Sequence, residues 1–282
     1  MGPLHRGGKR FESEVLIVTG ASGTGKTEEI NQLMDDFNAS NSVLPGGQPA
    51  KVVHCVLDRK GGWKDLGRQT LEAMEFPLCS SARITQAEIW KKVAVQGRIQ
   101  GIVGIHYDEV QHIMAGKSET ALEEILDFFK TILKSRDWPL MLIFSGVPEL
   151  RNYFPRSEQL FRKATHFTFD DIDYDTEAGV IAEILDSYAL ETGLSVDSDL
   201  YSRDFIHRLA SAGAFRWGVV CEIITKTVGE ACAAKSAVLT REHFLNAWVT
   251  KTNMTEAVTP FNLPGYTSMF RKDKLFWKAI PD

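Results

Sequence analysis

Val15-Leu-Ile-Val-Thr-Gly20-Ala-Ser-Gly-Thr-Gly25-Lys26-Thr27 is the stretch whose reading decides the fold. Its first four residues are apolar, and a short apolar run bounded by glycine predicts a buried strand. Gly20, Gly23 and Gly25 then let the backbone turn successive N–H groups inward, so that Gly20, Ala21, Ser22, Gly23, Thr24 and Gly25 together cradle a phosphate. Lys26 adds a point charge for the outer phosphates, and the Thr27 hydroxyl is placed for magnesium. Ile30, Leu33, Met34 and Phe37 follow at helical spacing, so the loop opens a helix whose N-terminal dipole faces the anion. This order of strand, loop and helix argues against a glycine turn that binds nothing.

Working outward, 282 residues allow one large or two smaller domains. With 44% hydrophobic and 24% charged residues the composition is that of an ordinary globular protein. No apolar run approaches the roughly 20 residues that span a bilayer, and Met1-Gly-Pro-Leu-His-Arg lacks the apolar core of a signal peptide. The expectation is a cytoplasmic protein with no membrane partner. Cys55, Cys79, Cys221 and Cys232 lie far apart, which argues against a zinc site or a disulfide framework and predicts buried free thiols. The net charge of -5 means that nucleic acid is bound only through a local basic surface.

Residues 1–12, rich in glycine and basic side chains, read as a flexible lead. A second strand runs from Lys51 to Leu57, and a helix carries Leu66, Thr70, Leu71 and Met74. Thr85 with Glu88 makes a capping box ahead of a helix bearing Ile89, Trp90 and Val93. Gly101-Ile-Val-Gly-Ile-His-Tyr-Asp108-Glu109 is a third strand ending in two carboxylates. In a protein with a phosphate loop such a strand delivers an acid to the metal: Asp108 would hold magnesium through water, and Glu109 would orient and polarise the attacking water. The plainer alternative is a pair that caps a strand. Leu122, Ile125, Leu126, Phe129, Ile132 and Leu133 form an amphipathic helix. Leu140–Gly146 is a fourth strand, and Ser145 at its carboxyl end senses the terminal phosphate, positions water, or simply ends the strand. His166–Phe169 is the fifth. After the acidic run Asp170–Asp175 the pattern changes to helices only, over 176–191, 198–212, 215–231 and 240–250. In the third of these Trp217, Val220, Cys221, Ile224 and Val228 make the expected buried face, with Arg216 off that stripe.

With these residues in place the chain resembles an AAA+ ATPase, and more narrowly the TniB/TnsC family of transposition regulators, relatives of the phage Mu B protein. The likeness rests on Gly20–Thr27, His106-Tyr-Asp-Glu-Val-Gln-His112, Trp138-Pro-Leu-Met-Leu-Ile-Phe-Ser-Gly-Val-Pro-Glu-Leu150 and Gly213-Ala-Phe-Arg-Trp217, and covers roughly 13–250. It implies an α/β fold: an AAA+ P-loop core with a parallel five-stranded sheet over 13–170, a small helical lid over 171–250, and a tail over 251–282. It also implies ATP and Mg2+ as cofactors, Lys26 and Thr27 as their Walker A ligands, Asp108 and Glu109 as Walker B, Ser145 as sensor 1 and Arg216 as sensor 2. Arg162 falls where such proteins place an arginine finger for a neighbour's nucleotide, with Arg151, Arg156 and Lys163 as rivals. The segment ahead of Gly20 is shorter than such relatives carry, which suggests a truncated start and leaves the adenine contact unassigned. The tail, with Phe261, Tyr266, Phe270, Phe276 and Trp277 among basic residues, either docks a transposase or packs on the lid.

The implied function is an ATP-dependent regulator that assembles as a homo-oligomer or filament on double-stranded DNA and recruits or activates a transposase, with a target-selection protein as a further partner. The alternatives are a nucleotide-bound scaffold that does not hydrolyse, or an AAA+ loader or initiator outside transposition. For DNA, Lys60, Lys64 and Arg83 are the candidates, with Arg59, Lys91 and Lys92 as rivals. Backbone contacts of this kind carry no base information, so binding is expected to be non-specific.

Overall fold

The computed structural model describes residues 5–6, 9–10, 13–57, 62–79, 83–135, 138–270 and 272. A two-residue antiparallel pair, His5–Arg6 with Lys9–Arg10, comes first. The apolar run then forms β1 (Val15–Gly20) and the loop opens α1 (Lys26–Ala39). There follow β2 (Lys51–Val56), α2 (Trp63–Ala73), α3 (Gln86–Gln100), β3 (Ile102–Asp108), α4 (Gln111–Met114), α5 (Glu119–Leu133), β4 (Met141–Gly146), α6 (Glu158–Phe161) and β5 (Ala164–Phe169). The strands join in the order β2-β3-β4-β1-β5, and every pairing is parallel. The register sets Val18 opposite Ser145 and Val56 opposite Asp108, which brings the carboxyl ends of β1, β3 and β4 to one edge.

Parallel strands need crossover connections, and helices therefore cover the faces. On one face α2, α3 and α5 bury Leu71, Trp90, Phe129 and Leu133 against Tyr107 and Phe144. The Tyr107 hydroxyl, which could not be left unpaired there, lies 2.9 Å from Thr70 Oγ1. On the other face Ile30 and Met34 of α1 pack with Val18, Val52 and Ile143. Leu33, expected in that stripe, is instead 59% exposed; it rims an apolar groove of about 790 Å³ beside α1. The capping box of α3 forms as expected: Glu88 N donates to Thr85 Oγ1, and Thr85 N donates to the Glu88 carboxylate at 2.7 Å.

The chain divides into two compact units, Met1–Ala21 with Lys26–Phe169, and Ser22–Gly25 with Asp170–Asp282. The second contains α7 (Tyr174–Glu191), β6 (Ser195–Val196), α8 (Arg203–Ala212), α9 (Trp217–Ala233), β7 (Val238–Leu239) and α10 (Arg241–Thr252). The expectation of helices only is corrected here, because β6 and β7 pair in parallel; two-residue strands are too short to show alternation. The buried face of α9 is also rotated from the expected one. It comprises Val219, Val220, Ile223, Ile224, Thr227, Val228 and Ala231, leaving Trp217 and Cys221 half-buried.

Phe261, Tyr266 and Phe270 of the tail are buried in the second unit's core. Arg208 of α8 fastens them: its Nη1 donates to the Pro260 and Leu263 carbonyls at 2.8 and 3.0 Å, and its guanidinium stands 4.2 Å from the Tyr266 ring centre. Phe276 and Trp277 lie outside the described residues, as does most of the lead. Of the four cysteines expected to be buried only Cys55 is; Cys221 is half-buried, and Cys79 and Cys232 are exposed. Cys79 lies in the connection after α2, and Cys232 lies in the last turn of α9, off its packed stripe. Among the described residues no helix is long and apolar enough to cross a membrane.

Candidate nucleotide site

Where β1 gives way to α1, the buried Lys26 ammonium donates to the Gly20 and Ala21 carbonyls, 2.9 Å from each. Gly23 and Gly25 carry φ values of +87° and +95°, a region a side chain would make costly. One residue beyond Lys26, the Thr27 hydroxyl donates to Asp108 Oδ2 at 2.9 Å. Asp108 Oδ1 accepts the Glu109 N–H at 2.9 Å and the Ser145 hydroxyl. Burial opposes ionisation of Asp108, but the hydrogen bonds from Ser145, Thr27 and the Glu109 N–H, together with the neighbouring His106, hold the carboxyl below its ordinary range.

The hydroxyl of Thr27 and the carboxylate of Asp108 are hard oxygen donors that meet at the first turn of α1. Among the described residues no group of three or more His, Cys, Asp or Glu forms a metal cage. That donor set suits magnesium, which is commonly held by one or two carboxylates together with substrate phosphates and keeps several waters.

Glu109 begins the turn after β3 with φ +56°. Such a left-handed conformation costs a non-glycine residue about 1–2 kcal/mol. Its carboxylate accepts the Gln111 side-chain amide, lies 3.7 Å from His112 Nε2, and stays 40% exposed. Gln111 was not singled out from the sequence, and neither were two histidines behind Asp108. His106 is fully buried, with Nε2 2.7 Å from Ser145 Oγ and Nδ1 2.8 Å from His54 Nδ1. Burial pushes both imidazoles below their usual pKa, although the charge of Asp108 opposes the shift. A period-2 signal was available: His106 is two residues before Asp108 on the same strand face, and His54 is its register partner.

Ser22–Gly25 groups with the second unit. Arg216, the residue before α9, donates through Nη1 to the Ser22 carbonyl at 2.7 Å, and Val219 N donates to Gly23 O at 3.2 Å. Thr24 is buried. Gly218, which carries no signal in the sequence, must be glycine for a different reason from the loop's own: a Cβ there would stand 2.8 Å from Gly23 O and 2.9 Å from Gly25 N.

The arginines of the β4–β5 connection are now distinguishable. Arg151 Nε donates to Thr19 Oγ1 at 3.1 Å and Nη2 to Thr168 Oγ1, while Arg156 pairs with Glu119 at 3.3 Å. Arg162, capping α6, is exposed and makes no side-chain ion pair among the described residues. Lys64 is exposed in the first turn of α2, Arg83 is exposed ahead of α3, and Lys60 lies outside the described residues.

A family model described as AAA domain matches residues 9–154, more than half of the chain. The chain belongs to the AAA domain family. No curated protein sequence matches it. Among solved structures this AAA domain protein is similar to the ORC1 protein of Aeropyrum pernix in complex with DNA, with TM-score 0.60, 14% identity, and coverage of 86% of this chain and 60% of that one. It is similar also to CDC6P of Pyrobaculum aerophilum, with TM-score 0.57, 13% identity, and coverage of 84% and 61%. The A. pernix ORC2 protein, solved with ADPNP and ADP, gives TM-score 0.57, 12% identity and coverage of 85% and 62%. At these identities the likeness establishes the AAA+ P-loop fold alone. The chain spans about three fifths of the length of these structures.

Proposed function

We propose that this AAA domain protein hydrolyses Mg2+-ATP and, in its ATP-bound form, assembles with copies of itself on duplex DNA as a regulator of transposition. The observation that carries the nucleotide part is the Thr27–Asp108 hydrogen bond beside the carbonyl-held Lys26. Lys26 and the amides of Gly20, Ala21, Ser22, Gly23, Thr24 and Gly25 hold the phosphates. Thr27 and Asp108 hold Mg2+, which when bound neutralises charge on the outer phosphate oxygens. Glu109 polarises water, with its carboxylate oriented by the Gln111 amide. Arg216 anchors the loop through Ser22.

Assembly and DNA binding are supported more indirectly. An exposed Arg162 with no partner of its own among the described residues suits a finger for a neighbouring subunit, whereas Arg151 and Arg156 are engaged within the chain. Lys64 and Arg83, with Lys60, supply the DNA contacts in this reading, and the ORC1 structure with DNA is a precedent for the fold. The transposition role rests on the Asp-Glu-Val-Gln-His and Ser-Gly-Val-Pro-Glu-Leu segments. A second reading, an initiator- or loader-type ATPase, is favoured by the fold likeness to ORC1 and CDC6P.

The test is a mixing experiment on non-specific duplex DNA. Fingers of this kind contribute about 10³ to 10⁵ in rate in other NTPases. ATPase activity per subunit should rise with protein concentration and with DNA, and Arg162→Ala should lose that rise. Arg162→Ala mixed with Lys26→Ala should regain activity neither has alone. An inactive mixture, in assemblies shown to contain both variants, overturns the finger assignment. Stimulation of strand transfer by an integrase-like transposase then separates the transposition reading from the initiator reading.

A further inference from the structure

We propose that His106, backed by His54, is a positioning residue that directs the Ser145 hydroxyl onto Asp108, so that Ser145 serves the acid and not the terminal phosphate. The inference rests on the reading of Asp108 as the magnesium-holding acid. Its basis is the direction of each hydrogen bond in a chain crossing three adjacent strands. The single Ser145 proton is donated to Asp108 Oδ1. With that proton committed, the 2.7 Å contact to His106 Nε2 requires the imidazole to donate and the hydroxyl to accept. On the other side of that ring Nδ1 lies 2.8 Å from His54 Nδ1, so His54 holds the imidazole from behind.

The Ser145 proton thus points at Asp108. Turning it away would break this hydrogen bond and leave Asp108 Oδ1 with the Glu109 N–H alone, at a place where Ser145 and His106 are both fully buried. A buried hydrogen bond to a carboxylate is among the stronger ones a hydroxyl can make, which holds the rotor in one orientation. The consequence is a carboxylate fixed from two sides, by Ser145 and Glu109 N–H on Oδ1 and by Thr27 on Oδ2. Metal-ligating groups held by such outer partners lose about 10- to 100-fold in metal affinity when the partner is removed.

Two measurements test this. The first needs no nucleotide: a long-range ¹H–¹⁵N spectrum of the labelled wild type, assigned with His54→Asn, should show a proton on His106 Nε2. A His106 whose Nε2 carries no proton overturns the chain. The second follows binding of a fluorescent ADP analogue as Mg2+ is titrated. His106→Leu and Ser145→Ala should each raise the half-saturating Mg2+ by about tenfold or more, leaving affinity in EDTA unchanged. The double variant should be no worse than Ser145→Ala, and His106→Gln, whose amide can donate from the Nε2 position, should recover most of the shift. Should His106→Leu fail to fold, His106→Gln against His54→Ala supplies the same contrast. A folded His106→Leu with wild-type Mg2+ dependence, or effects that multiply in the double variant, overturns the positioning role. A wild type whose affinity ignores Mg2+ breaks the functional reading instead, and the tautomer spectrum distinguishes that case from a failure of the chain.

Discussion

At the carboxyl edge of the sheet, Asp108, Ser145 and His106 are all but fully buried and joined by hydrogen bonds. In the second unit Phe205, Phe244 and Phe261 are equally buried and meet through their rings, with centroids 4.9 to 5.7 Å apart. The first cluster specifies atoms and directions, because a polar group in a low dielectric is stable only with its partner in place. The second specifies volume, since apolar contacts are individually small and non-directional. Substitution should therefore separate them: the edge should lose chemistry while keeping its fold, and the aromatic cluster should lose stability.

The largest effect is expected at the edge. Lys26→Ala should abolish binding of a fluorescent ATP analogue, while Glu109→Gln should retain binding and slow hydrolysis by about 10²- to 10⁴-fold, the usual contribution of a positioned acid or base. Equal loss of binding in both would remove the distinction between a phosphate holder and a water-orienting acid. In the aromatic cluster, Phe261→Ala should cost about 3–5 kcal/mol in chemical denaturation, as expected for emptying a fully buried aromatic site. A cost below about 1 kcal/mol would mean that the tail is detached from the second unit in solution, against the anchoring by Arg208. The smallest effect sharpens the comparison from the surface: Thr85→Ala removes the α3 cap and should cost about 1 kcal/mol with no change in nucleotide affinity. A larger loss would show that α3 depends on its cap more than on the burial of Ile89, Trp90 and Val93.

Much of the core unit was legible because its signals are local. Val15–Thr27 spells strand, turn and helix in consecutive residues, and Leu122 to Leu133 repeats its apolar face without interruption, all of it buried in the structure. Leu33 failed the same test: helical spacing shows which side of α1 is apolar, but not that part of that side borders a groove. The α9 stripe was misplaced for a related reason. A helix with apolar residues nearly all round has no sharp face until its neighbours are known.

What the sequence by itself determined is the strand, turn and helix of Val15–Thr27, the Asp108-Glu109 pair at the end of β3 and the strand count of the sheet, since each is written in residues adjacent along the chain. What only the tertiary structure decided is who meets whom across it. His54 and His106 are 52 positions apart, and Ser145 reaches His106 across a further 39. Gly218 looks like any helical glycine until the backbone of Gly23 and Gly25 is found against it. Phe261 reads equally well as a docking residue until it is seen in the core. The physical reason is that propensity and periodicity act over a few residues, whereas hydrogen-bond satisfaction and close packing depend on atoms that folding alone brings within reach.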